Sequence, residues 1–289
     1  DIAGYNYGIW RYKKDVKKYP DRVILGTETF CADAALFRKL ADKYPAVIGD
    51  FVWPGITYHG EVPYQGWESR NGKHIFAGSP AWAAAGSGRV DMNGREWSET
   101  DYTRVVFGQQ PIAIGVIPVN LADEKFDISA WDLTCALGSW SWNGCEGKKT
   151  KVEVYSRAHS AELFLNGKSL GRKRLRNCRC VFRVVYEPGT LKAVSYTVSG
   201  KKDAETMLCT AGEETRLSVV PEEGTKELYF VNLRYTDSAG VTKPLAQGEI
   251  HVRAEGGELL ALGSARPLNP RSYLTDSTDT YYGEAMAVV

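Results

Sequence analysis

Two short apolar runs each carry one chemically capable side chain to the point where a strand should end. Val23-Ile24-Leu25-Gly26-Thr27-Glu28-Thr29 delivers a carboxylate, Glu28, and Ala46-Val47-Ile48-Gly49-Asp50-Phe51-Val52-Trp53 delivers an indole, Trp53. The segment between them reads as a helix, so the unit is strand, helix, strand. In a parallel barrel the functional groups sit where strands finish, at the C-terminal face. An ionised carboxylate can attack an electron-poor carbon, and an indole offers a flat face to the C–H side of a sugar ring. Placed together, they suggest a saccharide site.

Other residues near these strand ends are candidates with bland alternatives beside them. Tyr5-Asn6-Tyr7 offers two phenols and an amide; each tyrosine is equally readable as core packing whose hydroxyl finds a partner, and Asn6 as a turn residue. Asp50, three residues before Trp53, could orient a site or terminate the core beneath it. His59 and Glu61, with Tyr58, Tyr64 and Trp67, fall on the loop after the last strand, where substrate contacts collect; surface decoration is the alternative. Thr27 and the loop backbone are candidate hydrogen-bond donors to Glu28, and Gly26 allows close approach. Four scattered histidines (59, 74, 159 and 251) show no metal spacing, so no metal or cofactor is expected. No phosphate loop or dinucleotide fingerprint is present.

The elements that must position these groups follow from periodicity. Ile9, Tyr12, Val16 and Tyr19 recur at helical spacing and stop at Pro20; Phe37, Leu40, Ala41 and Tyr44 repeat the pattern before Pro45. Ser98-Glu99-Thr100-Asp101 reads as a capping box that opens a third helix through Val105 and Val106. Alternating helices and strands imply a parallel sheet over residues 1–108. After Gly108-Gln109-Gln110-Pro111 strand-like runs dominate: 112–119, 151–156, 161–165, 181–186 and 191–198. Asn166-Gly167 between alternating segments signals a tight hairpin. The basic cluster Arg172-Lys173-Arg174 reads as a solvated strand edge. These runs predict one antiparallel sandwich at 109–211 and a second at 212–289, with strands at 217–220, 228–235, 249–254 and 259–262. Trp131, Trp140 and Trp142 crowd one stretch; packing is favoured over an exposed polysaccharide-binding row because large aromatics usually bury.

Composition sets the bounds. The 289 residues could form one large domain or two to three ordinary ones, and 43% hydrophobic with 25% charged residues is ordinary globular usage. A net charge of +1 argues against nucleic-acid and anionic-membrane partners, and no apolar run reaches the ~20 residues of a membrane span. Six cysteines in no metal pattern, without an Asn-x-Ser/Thr site, lean toward a cytoplasmic protein while leaving the compartment open.

Three stretches carry a family resemblance. GYNYGIWRYKKDVKKYPDRVILGTETF followed by YPAVIGDFVWPGITYHGE is similar to the end of the catalytic barrel of glycoside hydrolase family 2, on its β-galactosidase side. YSRAHSAELFLNGKSLG with YEPGTLKAVSY resembles a β-sandwich that follows that barrel, and the segment from about Glu213 resembles the C-terminal sandwich. The resemblance implies a multi-domain α/β plus all-β fold: the C-terminal part of a TIM (β/α)8 barrel, then two immunoglobulin-like β-sandwiches. It implies a retaining glycosidase acting on an oligo- or polysaccharide, most closely a β-galactoside. Glu28 then matches the nucleophile, Tyr7 (with Tyr5 as competitor) the tyrosine that hydrogen-bonds it, and Trp53 the floor of the sugar subsite, with a cis bond expected at Trp53-Pro54. Asn6, Asp50, His59 and Glu61 would contribute to substrate binding.

The same resemblance sets limits. A barrel of this type takes about 250 residues and eight strands, and the family's acid/base sits beside an asparagine on an earlier strand. No Asn-Glu pair occurs in this chain, so the 289 residues alone are expected to be inactive and to need an N-terminal part of the same enzyme. Thr57 and His59 stand where the family more often has aspartate and leucine, and Asn71-Gly72-Lys73 has the spacing of a glucuronidase clamp in a dissimilar loop. An open partial barrel should also leave apolar surface that a neighbour covers, and a homo-oligomer is expected. The alternative is a non-catalytic module in which the sandwiches bind carbohydrate, or act as a scaffold that joins subunits.

Overall fold

The computed structural model describes residues 1–57, 69–70, 73–74, 88–123, 131–222, 224, 227–267 and 269–289. It begins with three parallel strands in the order β1-β2-β3: β1 (Ile2–Asn6), β2 (Val23–Thr29) and β3 (Val47–Val52). Helix α1 (Ile9–Lys18) links the first pair and α2 (Ala34–Lys43) the second. Each helix stops just short of its proline, as the sequence predicts. Ile9, Tyr12, Ile24, Phe37 and Val47 are buried together where the helices cover the sheet. The opposite side of this unit is open: Ile48 is 59% and Phe51 61% exposed.

Between 58 and 87 the described structure is the hairpin β4 (Ser69–Arg70) and β5 (Lys73–His74). His59, Glu61, Tyr58, Tyr64, Trp67 and Asn71 lie outside the described residues. Helix α3 (Ser98–Phe107) follows and ends on Gly108 at φ 82°, the left-handed cap a glycine supplies without cost. Its start corrects the expected capping box. Ser98 is the first helical residue instead of the cap, no side chain caps the helix, and Thr100 N–H bonds to the Trp97 carbonyl. Gly115 explains why Ser98 faces inward, since a Cβ there would lie 2.7 Å from its Oγ.

Two sheets then form a sandwich. One has the order β10-β7-β6, built from β6 (Ile112–Val116), β7 (Lys149–Ser156) and β10 (Arg179–Val185). The other has the order β12-β11-β8-β9, from β8 (Ser160–Leu165), β9 (Lys168–Arg174), β11 (Thr190–Tyr196) and β12 (Lys202–Cys209). Asn166 (φ 50°) and Gly167 (φ 81°) make the expected tight turn between β8 and β9, and every residue of β9 is exposed. Trp140 and Trp142 are fully buried between the sheets with Val152, Val154, Leu163, Phe182 and Tyr186; packing, not an exposed row, is their role.

A last four-stranded sheet has the order β13-β14-β18-β16: β13 (Arg216–Pro221), β14 (Phe230–Thr236), β16 (Ala261–Gly263) and β18 (Glu284–Val288). A small pair, β15 (Ile250–His251) and β17 (Ser277–Thr278), lies alongside and shares its core through Ile250. Two seams join these parts. Cys31 in the 3-10 turn before α2, with Ala34 and Ala35 at the start of α2, buries against Tyr102, Val105 and Val106 of α3 and against Ala113 and Tyr155 of the sandwich. Tyr281 and Tyr282 insert into the sandwich core beside Trp97 and Trp142. The described cysteines are unpaired.

Candidate active site at the ends of three parallel strands

Parallel pairing brings the C-terminal ends of β1, β2 and β3 into one row. Asn6 is in register with Glu28, and Thr29 with Val52. Past the strand ends the backbone continues the row: Tyr7 N–H donates to the Glu28 carbonyl at 2.7 Å and Trp53 N–H to the Thr29 carbonyl at 3.0 Å. Tyr7, Glu28 and Trp53 therefore leave three adjacent strands at one level. Glu28 is half-buried, and Trp53, 44% exposed, precedes a cis bond to Pro54.

The two tyrosines separate cleanly. Tyr5 Oη donates to Asp15 Oδ2 at 2.8 Å and its ring leans on Tyr12, so it belongs to the packing of α1. Tyr7 adopts φ 52°, turns its ring onto Phe30 (centroids 4.3 Å apart, 29° between planes) and accepts a hydrogen bond from the Trp131 indole at 2.8 Å. The Thr27 hydroxyl does not serve Glu28 as expected, because it donates to Asn6 Oδ1 at 2.7 Å. Asn6 thus braces the β1–β2 junction.

Asp50 turns toward the helices. A Cβ on Gly26 would lie 2.7 Å from Tyr12 Oη and 3.3 Å from Asp50 Oδ1, so the missing side chain is what lets these groups approach. Neither oxygen has a hydrogen-bond partner among the described residues, the Thr29 hydroxyl being given to the Phe51 carbonyl. Burial raises the Asp50 carboxyl above its ordinary range, against the opposing Arg89 charge. Burial, and then the Asp50 charge, pushes the Tyr12 phenol up to about 12. Asp50 is a floor beneath the strand ends more than a group presented on them.

Three contributors were not read from the sequence as parts of this site, Glu99 being taken there for a helix cap and Trp131 for packing. Arg89 is buried, its carbonyl accepting from Trp97 N–H and the Thr100 hydroxyl while its charge opposes the upward shifts of Asp50, Cys31 and Glu99. Glu99, in the first turn of α3, accepts the backbone N–H groups of Leu133 and Thr134. Its burial, with Asp132 adding a like charge, pushes its carboxyl up to about 8. Trp131 is the third, since its partner Tyr7 stands 124 positions away. Among the described residues no group of three or more His, Cys, Asp or Glu side chains could hold a metal ion, and no helix is long and apolar enough to cross a membrane.

Comparison with known proteins shows what the chain is similar to. Residues 147–204 match the family model "Domain of unknown function (DUF4982)", and residues 219–289 match "Glycoside hydrolase family 2 C-terminal domain 5". The chain is 25% identical over 260 residues to the Bacteroides ovatus β-galactosidase BoGH2A, covering 87% of this chain and 26% of that protein. It is 30% identical over 203 residues to a putative β-glucuronidase of Formosa agariphila, covering 61% of this chain and 19% of the relative. A solved glycosyl hydrolase family 2 member from Bacteroides cellulosilyticus superposes with a TM-score of 0.83 at 30% identity, over 100% of this chain and 38% of that one. The chain thus spans about a quarter or less of the curated relatives' length.

Proposed function

We propose that this chain, which resembles the C-terminal portion of glycoside hydrolase family 2 members, supplies the nucleophile half of a retaining glycosidase site. Residues 1–108 are read as the end of a (β/α)8 barrel, with sandwiches at 109–211 and 212–289 carrying it. The observation behind this reading is the backbone-clamped row of Tyr7, Glu28 and Trp53 at three parallel strand ends. That is the face on which barrels of this kind collect functional groups.

Retaining hydrolysis needs two carboxyl groups about 5–5.5 Å apart. Glu28 attacks the anomeric carbon and forms a glycosyl-enzyme ester as a second carboxyl group protonates the departing oxygen. That second group then takes a proton from water, which displaces the sugar from Glu28. Tyr7 holds the Glu28 carboxylate before attack, and the exposed Trp53 face packs on the sugar. No Asn-Glu pair is present, so the acid/base is assigned to a part of the enzyme outside these 289 residues. A β-galactoside is the proposed substrate, in line with the relative named a β-galactosidase.

The test compares the full-length protein with its Glu28→Gln variant on aryl β-galactosides. Turnover should fall on the order of 10⁴-fold or more, with a glycosyl-enzyme adduct at Glu28 seen by mass spectrometry after reaction with a slow substrate. The 289-residue chain alone should show no turnover. Full activity in Glu28→Gln would remove Glu28 from the chemistry.

A further inference from the structure

The outer face of the sheet β10-β7-β6 carries charges that packing does not require. Val152 and Val154 of β7, with Phe182 and Val184 of β10, fill the sandwich core, so the residues alternating with them face away from it. Lys149, Lys151 and Glu153 form a row on β7, and Arg179, Val181 and Arg183 a row on β10. Register sets Arg183 directly opposite Lys151 and Val181 opposite Glu153. Like charges paired across strands destabilise a sheet. The ion pairs nearby join other cations, Lys148 to Asp123 and Arg179 to Glu153. Among the described residues no carboxylate pairs with Lys149, Lys151 or Arg183.

These rows line a groove of about 1250 Å³. Leu170 and Lys173 of β9 flank it on the β10 side, and Ile117 and Leu121 on the β6 side. Its floor is polar and already satisfied. Buried Glu153 accepts from the Thr134 hydroxyl at 3.1 Å, the Tyr155 hydroxyl at 2.7 Å and Arg179 Nε at 2.9 Å, with a further Arg179 nitrogen on its other oxygen. A carboxylate has about four acceptor sites, so Glu153 is filled and its charge engaged. Lys173 Nζ donates to the Val181 carbonyl at 2.8 Å, which leaves two of its three N–H groups. The groove thus offers four cations interleaved with aliphatic side chains. A strand of nucleic acid would call for aromatic stacking platforms, and Phe182, the aromatic in the lining, is only 2% exposed. The space exceeds the roughly 300–1,000 Å³ of a usual small-molecule site and suits several linked units.

We propose that this groove binds an acidic oligosaccharide, with Lys149, Lys151 and Arg183 holding uronate carboxylates or sulfate esters and Leu121 and Leu170 packing on sugar C–H faces. The choice of a saccharide among polyanions rests on the glycosidase reading given above; the charge of the groove does not. The opposed Lys151 and Arg183 are then a local conflict that the fold keeps for its ligand.

Calorimetry on the full-length protein tests this with hexagalacturonate, a heparin hexasaccharide and a neutral β-galactan hexasaccharide. Either acidic probe should bind, and the one that binds tells carboxylate from sulfate. Its affinity should fall as salt rises from about 0.05 to about 0.5 M, because exposed charges are then screened. Lys151→Glu should weaken binding about tenfold or more, since it removes one charge-assisted contact and opposes another. The same change places opposite charges across the strands, so its urea midpoint should be equal to or above that of the wild type, which separates lost binding from lost folding. No binding of either acidic probe, equal binding of the neutral one, or unchanged affinity in Lys151→Glu would overturn the proposal. Equal binding of a poly-glutamate peptide of the same charge would overturn the ligand class. Failure to bind, with Lys151 shielded from amine-reactive labelling, would give the face to the rest of the enzyme instead. Binding is read without turnover, so an active Glu28→Gln would sink the mechanism proposed above and leave this result standing.

Discussion

At the scale of single residues, the candidate site depends on atoms that are absent as much as on those present. Gly26 sits where a methyl group would press on the Tyr12 hydroxyl, Thr29 and Asp50. Gly26→Ala should destabilise the protein by about 1–3 kcal/mol, the usual cost of overpacking, and chemical denaturation should show it as a lower midpoint at unchanged slope. An unaltered midpoint would mean that the layer beneath the strand ends is loose. The strand-end placement of Glu28 and Trp53 was legible in the sequence because a short apolar run of this length reads as a strand, and each residue lies at the end of one. The partners were not. Thr27 is engaged by Asn6 and Tyr7 by Trp131, and both pairings are set by register and tertiary contact, which local spacing does not encode.

Among the elements, α1 and α2 are where the periodicity puts them, and the Asn166-Gly167 turn forms with both residues at positive φ. Strand β12 (Lys202–Cys209) was not legible, since Lys202, Asp203 and Glu205 give it the composition of a loop. Helix α3 was found but misread at its start, where Glu99 is spent on the 133–134 backbone and no side chain caps the helix. That use has a pH signature. In the unfolded chain Glu99 titrates near its ordinary 4.5, and in the folded protein near about 8. Between those values the folded state holds a proton that the unfolded state has lost, so this group's contribution to stability is present at low pH and is lost as pH rises toward about 8. Glu99→Gln keeps an acceptor for the two N–H groups and removes the titration. The gap between wild-type and variant urea midpoints should therefore shift in the variant's favour from about pH 5 to about pH 8, and parallel curves across that range would contradict it.

For the whole molecule, the division into an α/β part and two β parts follows from patterning that is plain in the sequence, whereas the seams between the parts are not. Ile48, Phe51 and Ile56 expose apolar surface on and just beyond the three-stranded unit, a face suited to the neighbouring strands proposed for a complete barrel. The far seam is sealed by Arg95, whose guanidinium lies 4.8 Å from the Trp97 ring and 5.6 Å from those of Tyr281 and Tyr282. Tyr282→Ala should cost about 3 kcal/mol or more, as large-to-small core changes do. Its amide exchange should accelerate in β7 and β10, far from the mutation in sequence; acceleration confined to the last sheet would show that the two parts are energetically separate. This insertion also orders events at the ribosome. Domains generally fold as they emerge, N-terminal parts first, yet the core around Trp142 lacks two of its aromatic walls until Tyr281 and Tyr282 have been made. The sandwich is thus translated long before it can be finished, and must wait, incompletely closed, for residues that belong to the sheet after it.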